Sequence, residues 1–220
     1  MSDLITAPEL ASQPSPRIVS DEPEPAVRKR PKPGERRVQI LEALATMLEK
    51  PGAERVTTSA LAARLDVSEA ALYRHFASKA QMFEGLIEFI EQSVFTLVNQ
   101  IAEREADTGA RTRKLVVMIL QFAEKNPGMT RVMVGDALVF ENERLQERMN
   151  QFFDKIEAAL KQSLRDAAAL TDTATSTVDV QVRASMVVAF MAGRLQRFAR
   201  SGFKRLPSEH IDASLVTLLG

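Results

Sequence analysis

The sequence contains no cysteine and only two histidines, His75 and His210. The absence of cysteine excludes disulfide bonds, thiolate metal sites and cysteine nucleophiles. Neither histidine belongs to a His/Asp/Glu set with metal-ligand spacing, so no metal site is predicted. The glycine motifs G-x-G-x-x-G and G-x-x-x-x-G-K-[ST], which hold nucleotides, are also missing. We therefore expect a protein that is not an enzyme and has neither catalytic residues nor a cofactor.

Long hydrophobic runs are missing as well. No apolar stretch approaches the roughly 20 residues that a membrane helix needs. The initial residues MSDLITAPEL have no basic segment followed by an apolar one, as a secretory signal would. Sustained alternation of apolar and polar residues, which is typical of strands, is absent too. The sequence therefore predicts a cytoplasmic, all-α protein without membrane contact.

The net charge of zero conceals an uneven distribution along the chain. Residues 28–79 hold eleven basic and six acidic residues, whereas residues 1–27 hold one basic and five acidic residues. A basic segment of this kind suggests a polyanionic partner such as nucleic acid. A chance fluctuation of charge on a solvated surface is the alternative interpretation.

The segment 1–33 differs in composition from the rest of the chain, since it holds seven of the ten prolines and few large apolar residues. It cannot bury enough apolar surface to offset chain entropy, and we predict a disordered arm. The arm ends in the basic sequence RKRPKPGERR. This end can either hold phosphates without reading sequence or serve as a plain solubilising tail.

From residue 34 onward, apolar residues recur at spacings of three and four, the pattern of helices with one buried face. The buried face of the first helix includes Val38, and that of the helix 79–104 includes Phe89 and Leu97. About nine helices are expected, in a first domain over 34–79 and a second over 80–220. The longer helices are predicted from 35 to about 50 and over 79–104, 110–126, 141–170 and 180–200, with short ones over 129–133 and 208–218.

Within the first domain, the stretch LAARLDVSEAALYRHF predicts a helix-turn-helix. Ser68 is a good N-cap for its second helix, and Asp66 tolerates the left-handed backbone conformation that the tight turn requires. Leu72 and Phe76 point toward the core. In such motifs the second helix, which has about eight residues here, enters the DNA major groove. An ordinary helical hairpin with solvated polar residues remains the alternative.

The outward side of this second helix carries the predicted DNA contacts. Ala70 is small enough for a close approach to the groove, and Arg74 can donate to guanine or phosphate. Tyr73, His75 and Lys79 are placed for phosphates, and Lys79 also opens a helix whose amides favour anions. The full predicted set is Thr57, Thr58, Ser68, Glu69, Ala70, Tyr73, Arg74, His75 and Lys79.

The sequence TTSALAARLDVSEAALYRHFASK at 57–79 resembles the DNA-binding motif of the TetR family. The closing YRHF, followed by a small residue, serine and lysine, is typical of that family, although Asp66 stands where glycine is frequent. The resemblance implies an all-α homodimer in which three N-terminal helices bind double-stranded DNA. It further implies a dimer interface on the last two long helices, where the small residues Ala184, Ala189, Ala192 and Gly193 allow a close approach.

The second domain is similar to a nucleoid occlusion group within that family, and this similarity runs from about residue 35 to residue 205. Such proteins bind palindromic chromosomal sites, with one or several dimers per site, and antagonise the division protein FtsZ. The resemblance implies a nucleoid-associated protein whose groove between the fourth and fifth helices holds the FtsZ C-terminal tail, with Phe89, Lys125 and Asn126 in it. The chain departs from the expected groove residues at Leu97 and Gln121. This resemblance rests on the stretches MFEGLIEFIEQS, EKNPGMTRVMVGDALVFENERLQERMNQFFDKIEAAL and RFARSGFK.

Three alternatives stay open at this point. Phe89 is either a groove residue or a plain core aromatic. Asn126 is a C-cap before Pro127 whether or not it also binds a partner. The whole protein is either an occlusion factor or a TetR-type repressor that responds to a small apolar ligand held between its fourth to seventh helices. In the second case the Phe, Met and Leu residues there line a pocket rather than form core.

Overall fold

A computed structural model of the protein describes residues 34–50, 56–170 and 177–219. These ranges form an all-α fold without strands, as predicted. The predicted arm over 1–33, the stop at Pro51-Gly52 and most of the polar loop after Leu170 lie outside the described residues. The helices are α1 (Glu35–Leu48), α2 (Thr58–Arg64), α3 (Glu69–Tyr73), α4 (Lys79–Arg104), α5 (Thr108–Lys125), α6 (Pro127–Met133), α7 (Glu143–Leu170), α8 (Thr177–Arg200) and α9 (Ile211–Leu219), with a 3-10 turn at Asp136–Leu138.

Side-chain caps determine where α2 to α5 begin. Thr57, Ser68 and Ser78 each accept a hydrogen bond from the backbone amide three residues ahead, at 3.2 Å. Asp107 does the same at 3.0 Å, so α5 starts at Thr108 rather than at the predicted residue 110. Each cap satisfies an amide that has no partner inside its helix. The local sequence therefore fixes these four helix starts.

Asn126 joins α5 to α6. Its side-chain amide donates to the carbonyl of Phe122 at 2.7 Å, which satisfies one of the last carbonyls of α5. Pro127 then begins α6, at the helix position where its missing N–H costs nothing. The C-cap interpretation of Asn126 is thus confirmed.

The contact between α1 and α6 ties the N-terminal helices to the rest of the chain. At this contact Gly128 is buried against the backbone of Ala45. The core side of α1 contains Ile40, Leu44 and Leu48. Val38 was predicted to be buried but is 51% exposed, because two residues before Ile40 it lies about 200° around the helix.

Two residues of α4 that were predicted on its buried face are not buried. Phe89 and Leu97 are exposed, at 46% and 37%, and so do not belong to the core. Ile90 and Val98, which directly follow these two residues in the sequence, are fully and nearly fully buried. Each exposed residue directly precedes a buried one, which places it about 100° away at the edge of the buried stripe. The core around α4 also includes α5, α7 and α8. It contains residues such as Phe83, Val116, Phe152, Val187 and Leu195.

A series of ion pairs, which we call the α4–α7 ladder, connects α4 to the α7 region. It consists of Lys79 with Glu141, Glu84 with Arg144 at 2.6 Å, and Glu91 with Arg148 at 2.6 Å. The partners rise together in sequence number, so the two helices run in the same direction. The first pair lies at the start of α4, directly after the helix-turn-helix.

Candidate nucleic-acid interface and partner surfaces

The turn between α2 and α3 has the predicted left-handed residue. Asp66 adopts φ 54°. The amide of Val67 donates to the carbonyl of Ala62 at 3.1 Å, and that of Asp66 donates to Ala63 at 3.2 Å. This pair of bonds is a Schellman motif, which closes a helix and reverses the chain. The prediction for Asp66 is confirmed: it occupies the position of the Schellman motif that needs a positive φ, which aspartate adopts more readily than most residues other than glycine.

The two sides of α3 are divided as the sequence predicts. Leu72 and Phe76 are buried, whereas Tyr73 is 44% exposed. Glu69, Ala70 and Arg74 are exposed as well. The helix itself is shorter than the predicted eight residues, because it ends at Tyr73. Arg74 and His75 therefore lie in the turn that follows, with His75 half-buried.

A hydrogen bond links the N-terminal ends of α2 and α3. The hydroxyl of Thr58 donates to Oε2 of Glu69 at 2.7 Å. The hydroxyl of Tyr73 lies 3.5 Å from the same Thr58 oxygen. Three residues predicted separately as DNA contacts thus form one connected group. The sequence gives no signal for this contact, since its partners lie on different helices.

Arg37, on α1, contacts the residues that directly follow α3. Its guanidinium donates to the carbonyl of His75 and lies 4.1 Å from the centre of the Phe76 ring. The sequence places Arg37 in the basic arm that was interpreted as phosphate-binding or solubilising. In the structure this arginine is attached to the end of the recognition helix through a hydrogen bond and a cation–π contact, whichever role the basic stretch has.

Lys79 is engaged within the protein. Its ammonium group pairs with Glu141, whose side chain is only 8% exposed. A phosphate contact by Lys79 remains a prediction, and it requires the lysine to share or leave this carboxylate. Ser78 and Gln81 brace the same junction, because Gln81 also accepts from the amide of Ala77 at 2.9 Å.

The three residues predicted to hold a partner tail lie on or next to α4 and α5. These helices are joined by only three residues, 105–107, so they form an antiparallel hairpin. Phe89 on α4 and Lys125 on α5 lie at about the same distance from this connection, toward the opposite end of the hairpin. Both residues are exposed. Asn126, which directly follows Lys125 in the sequence, is half-buried. The exposure of Phe89 argues against the core-aromatic interpretation.

At the other end of this hairpin, a shallow surface cavity is lined by Leu97, Ile101 and Lys114 among others. The Lys114 ammonium donates a hydrogen bond to Glu105. This bond, together with one from the backbone amide of Asp107, lowers the pKa of Glu105. The departure from the family pattern at Leu97 thus lies in a basic, partly apolar depression.

The outer surface of α8 carries an apolar stripe. Val178, Val182 and Met186 are 68%, 50% and 50% exposed. Of the four small residues predicted at a dimer interface, Ala189 and Gly193 are exposed and continue this stripe, and Ala192 is half-buried. Ala184 is fully buried inside the protomer. Its place in a dimer surface is therefore not supported, because it already packs in its own core.

Two further features concern the described part of the chain. Within it, no group of three or more histidine or acidic residues is arranged to hold a metal ion. None of the helices described there combines the length and apolar character of a membrane span.

The helix-turn-helix with its exposed polar side and the helical body behind it together define a TetR-type DNA-binding regulator. A family model described as bacterial regulatory proteins, tetR family, matches residues 40–86. A second model, for the SlmA-like form of the tetracyclin repressor-like C-terminal domain, matches residues 106–219. The chain belongs to the SlmA family of nucleoid occlusion factors, a family of regulators rather than enzymes.

The relatives support this placement over most of the chain. The nucleoid occlusion factor SlmA of Idiomarina loihiensis is 50% identical over 178 residues, which cover 81% of this chain and 90% of the relative. That of Vibrio cholerae is 51% identical and covers 80% and 90%. That of Escherichia coli strain HS is 51% identical and covers 81% and 90%. This family relationship implies that the chain binds DNA and forms dimers.

Solved structures show the same fold at much lower identity. The regulator FadR from Bacillus subtilis, in complex with stearoyl-CoA, has a TM-score of 0.68 at 14% identity and covers 83% of this chain and 97% of its own. The TetR family regulator PfmR from Thermus thermophilus has a TM-score of 0.68 at 21% identity, with coverages of 82% and 97%. These similarities establish the fold and carry no information on ligands.

Proposed function

We propose that the protein is a nucleoid occlusion factor that, as a DNA-bound homodimer, antagonises FtsZ assembly over the chromosome. The main support is the sequence identity to SlmA proteins, which is 50–51% across 80–81% of this chain. Such a protein acts in the cytoplasm at the nucleoid. The similarity includes the C-terminal domain, and the DNA-binding motif alone would not distinguish an occlusion factor from other TetR-type regulators.

The proposed DNA surface is the exposed side of α3 with the start of α2. Tyr73 and His75 are assigned to phosphates, and Arg74 to phosphate or guanine. A dimer on a palindromic site would place its two recognition helices roughly 34–36 Å apart, one DNA turn. Affinity should fall steeply with salt, because phosphate contacts release counterions.

The proposed second protomer packs on the apolar stripe of α8, together with α7, in a symmetric interface. Ala189 and Gly193 are suited to this role because both are small and exposed. At Gly193 no other atom lies within 4 Å of where a side chain would begin. Gly193→Glu would place a charge in the interface and should dissociate the dimer, which light scattering would detect.

The proposed FtsZ site is the surface of the α4–α5 hairpin around Phe89, Lys125 and Asn126. An extended tail with apolar and acidic residues fits an exposed aromatic ring next to a lysine. The exposure of Phe89 supports this assignment, since an aromatic side chain that is left half in water contributes little to the protomer's own core.

The deciding experiment measures binding of a fluorescent FtsZ C-terminal peptide with and without cognate DNA. We expect binding that Phe89→Ala abolishes and that Phe140→Ala leaves intact. Phe140 is a suitable control because it is an exposed phenylalanine, at 62%, outside the hairpin. Absence of peptide binding in both conditions would refute the proposal. Release of DNA by a specific small apolar molecule would support the ligand-responsive repressor instead.

A further inference from the structure

We propose that Glu69 reads a cytosine in the DNA major groove and that Thr58 orients it for this purpose. The inference rests on the proposed DNA binding and adds a base identity to it. Glu69 is the first residue of α3, directly after the cap residue Ser68, and its side chain is exposed. The N-terminal residues of a recognition helix are those that contact base edges.

The carboxylate of Glu69 is held in one orientation before DNA arrives. The Thr58 hydroxyl donates to Oε2 at 2.7 Å, and the Tyr73 hydroxyl donates to the Thr58 oxygen at 3.5 Å. Oε1 remains as an acceptor. A glutamate on a flexible surface would lose side-chain entropy when it contacts a base. The bond from Thr58 reduces that loss, because the side chain is already ordered.

The chemistry of a carboxylate limits what it can contact in DNA. It only accepts hydrogen bonds, and it repels phosphates. In the major groove the base donors are the amino groups of cytosine and adenine. Adenine also presents the N7 acceptor next to its amino group, which repels a carboxylate, whereas cytosine has no such acceptor on that edge. Glu69 should therefore favour cytosine.

A purely structural role for the Thr58–Glu69 bond predicts a different outcome. A brace between α2 and α3 would change affinity for all DNA sequences by the same factor. A base contact changes the preference at one position in each half-site. Base preference, rather than affinity, is thus the measurement that separates the two roles.

The experiment selects binding sites from a random double-stranded DNA library with the full-length protein. We expect the wild-type motif to contain a cytosine that Glu69→Ala no longer selects, with a loss of about tenfold in discrimination per half-site. Glu69→Gln should shift that position toward adenine, because glutamine pairs with its N6 and N7. Glu103→Gln, an exposed carboxylate at the far end of α4, removes the same charge and should leave the motif unchanged.

Variants of Thr58 test the orienting bond. Thr58→Val has nearly the same shape but no hydroxyl, and it should weaken the cytosine preference, whereas Thr58→Ser should keep it. The inference is overturned if the wild type selects a clear motif and both Glu69 variants select the same one. If the wild type enriches no motif, the proposed sequence-specific binding fails first, and the inference fails with it.

Discussion

Gly128→Ala should destabilise the protein, because Gly128 lies at a close contact between α1 and α6. A Cβ added at this position would lie 2.8 Å from the carbonyl carbon of Ala45 and closer still to its oxygen. Both atoms belong to the backbone of α1, so the clash cannot be relieved by rotating a side chain. Either the two helices separate or α6 is displaced.

The expected cost follows from two opposing effects. Overpacking of a tight contact costs about 1–3 kcal/mol, and a clash with backbone belongs at the upper end of that range. Alanine recovers about 1 kcal/mol, because glycine is the poorer helix former. The net loss in the free energy of unfolding is therefore about 2 kcal/mol. For a chain of this length, that lowers the melting temperature by about 4–8 °C.

The assay is thermal unfolding followed by circular dichroism, at one fixed protein concentration because dimerisation raises the apparent stability. Gly109→Ala is the matched control. Gly109 is exposed in the first turn of α5, and the nearest atom to its added Cβ is an Asp107 side-chain oxygen at 3.3 Å. The control should melt at the wild-type temperature or up to about 4 °C above it, because alanine is the better helix former and no backbone atom lies against the new Cβ. A Gly128→Ala protein as stable as the wild type would refute the close contact between α1 and α6.

Three other predictions concern single side chains. Arg37→Ala should weaken binding to all DNA sequences about tenfold without changing the selected motif, because it loosens the end of α3; unchanged affinity by fluorescence anisotropy would contradict this. Ser163→Ala removes the buried partner 2.8 Å from the Thr112 hydroxyl and should cost about 1 kcal/mol in denaturant unfolding, whereas no loss would show that the bond contributes nothing. The pKa of Glu105, measured by NMR, should lie below that of an ordinary glutamate and rise in Lys114→Ala. Since the folded state lowers this pKa, its contribution to stability is present at neutral pH and is lost as the pH falls through the folded-state pKa.

The helix-turn-helix could be predicted from the sequence because its determinants are local. Ser68 and Ser78 form their caps within three residues, and the bonds around Asp66 span five residues or fewer. The buried positions Leu72 and Phe76 follow from helical spacing. Such short-range signals do not depend on how the rest of the chain packs.

The features that were missed depend on contacts between distant residues. Periodicity shows that α4 has an apolar face, but the neighbouring helices decide which edge of that face remains open, and they leave Phe89 and Leu97 outside. The bonds of Arg37 to His75 and of Lys79 to Glu141 join residues 38 and 62 positions apart. Charged residues at these positions look like phosphate contacts in the sequence, because their internal partners cannot be recognised there.

The α4–α7 ladder bears on which spacings between DNA half-sites a dimer would accept. The ladder connects α4, the helix that follows the recognition element, to the region of α7, a long helix of the proposed dimer interface, at three successive points. The distance between the two recognition helices is then a property of the whole helical body rather than of flexible hinges. One extra base pair between half-sites shifts the second by about 3.4 Å and turns it by roughly 35°. A stiff dimer cannot follow that change, so the length of the spacer would be selected as strictly as the bases on either side of it.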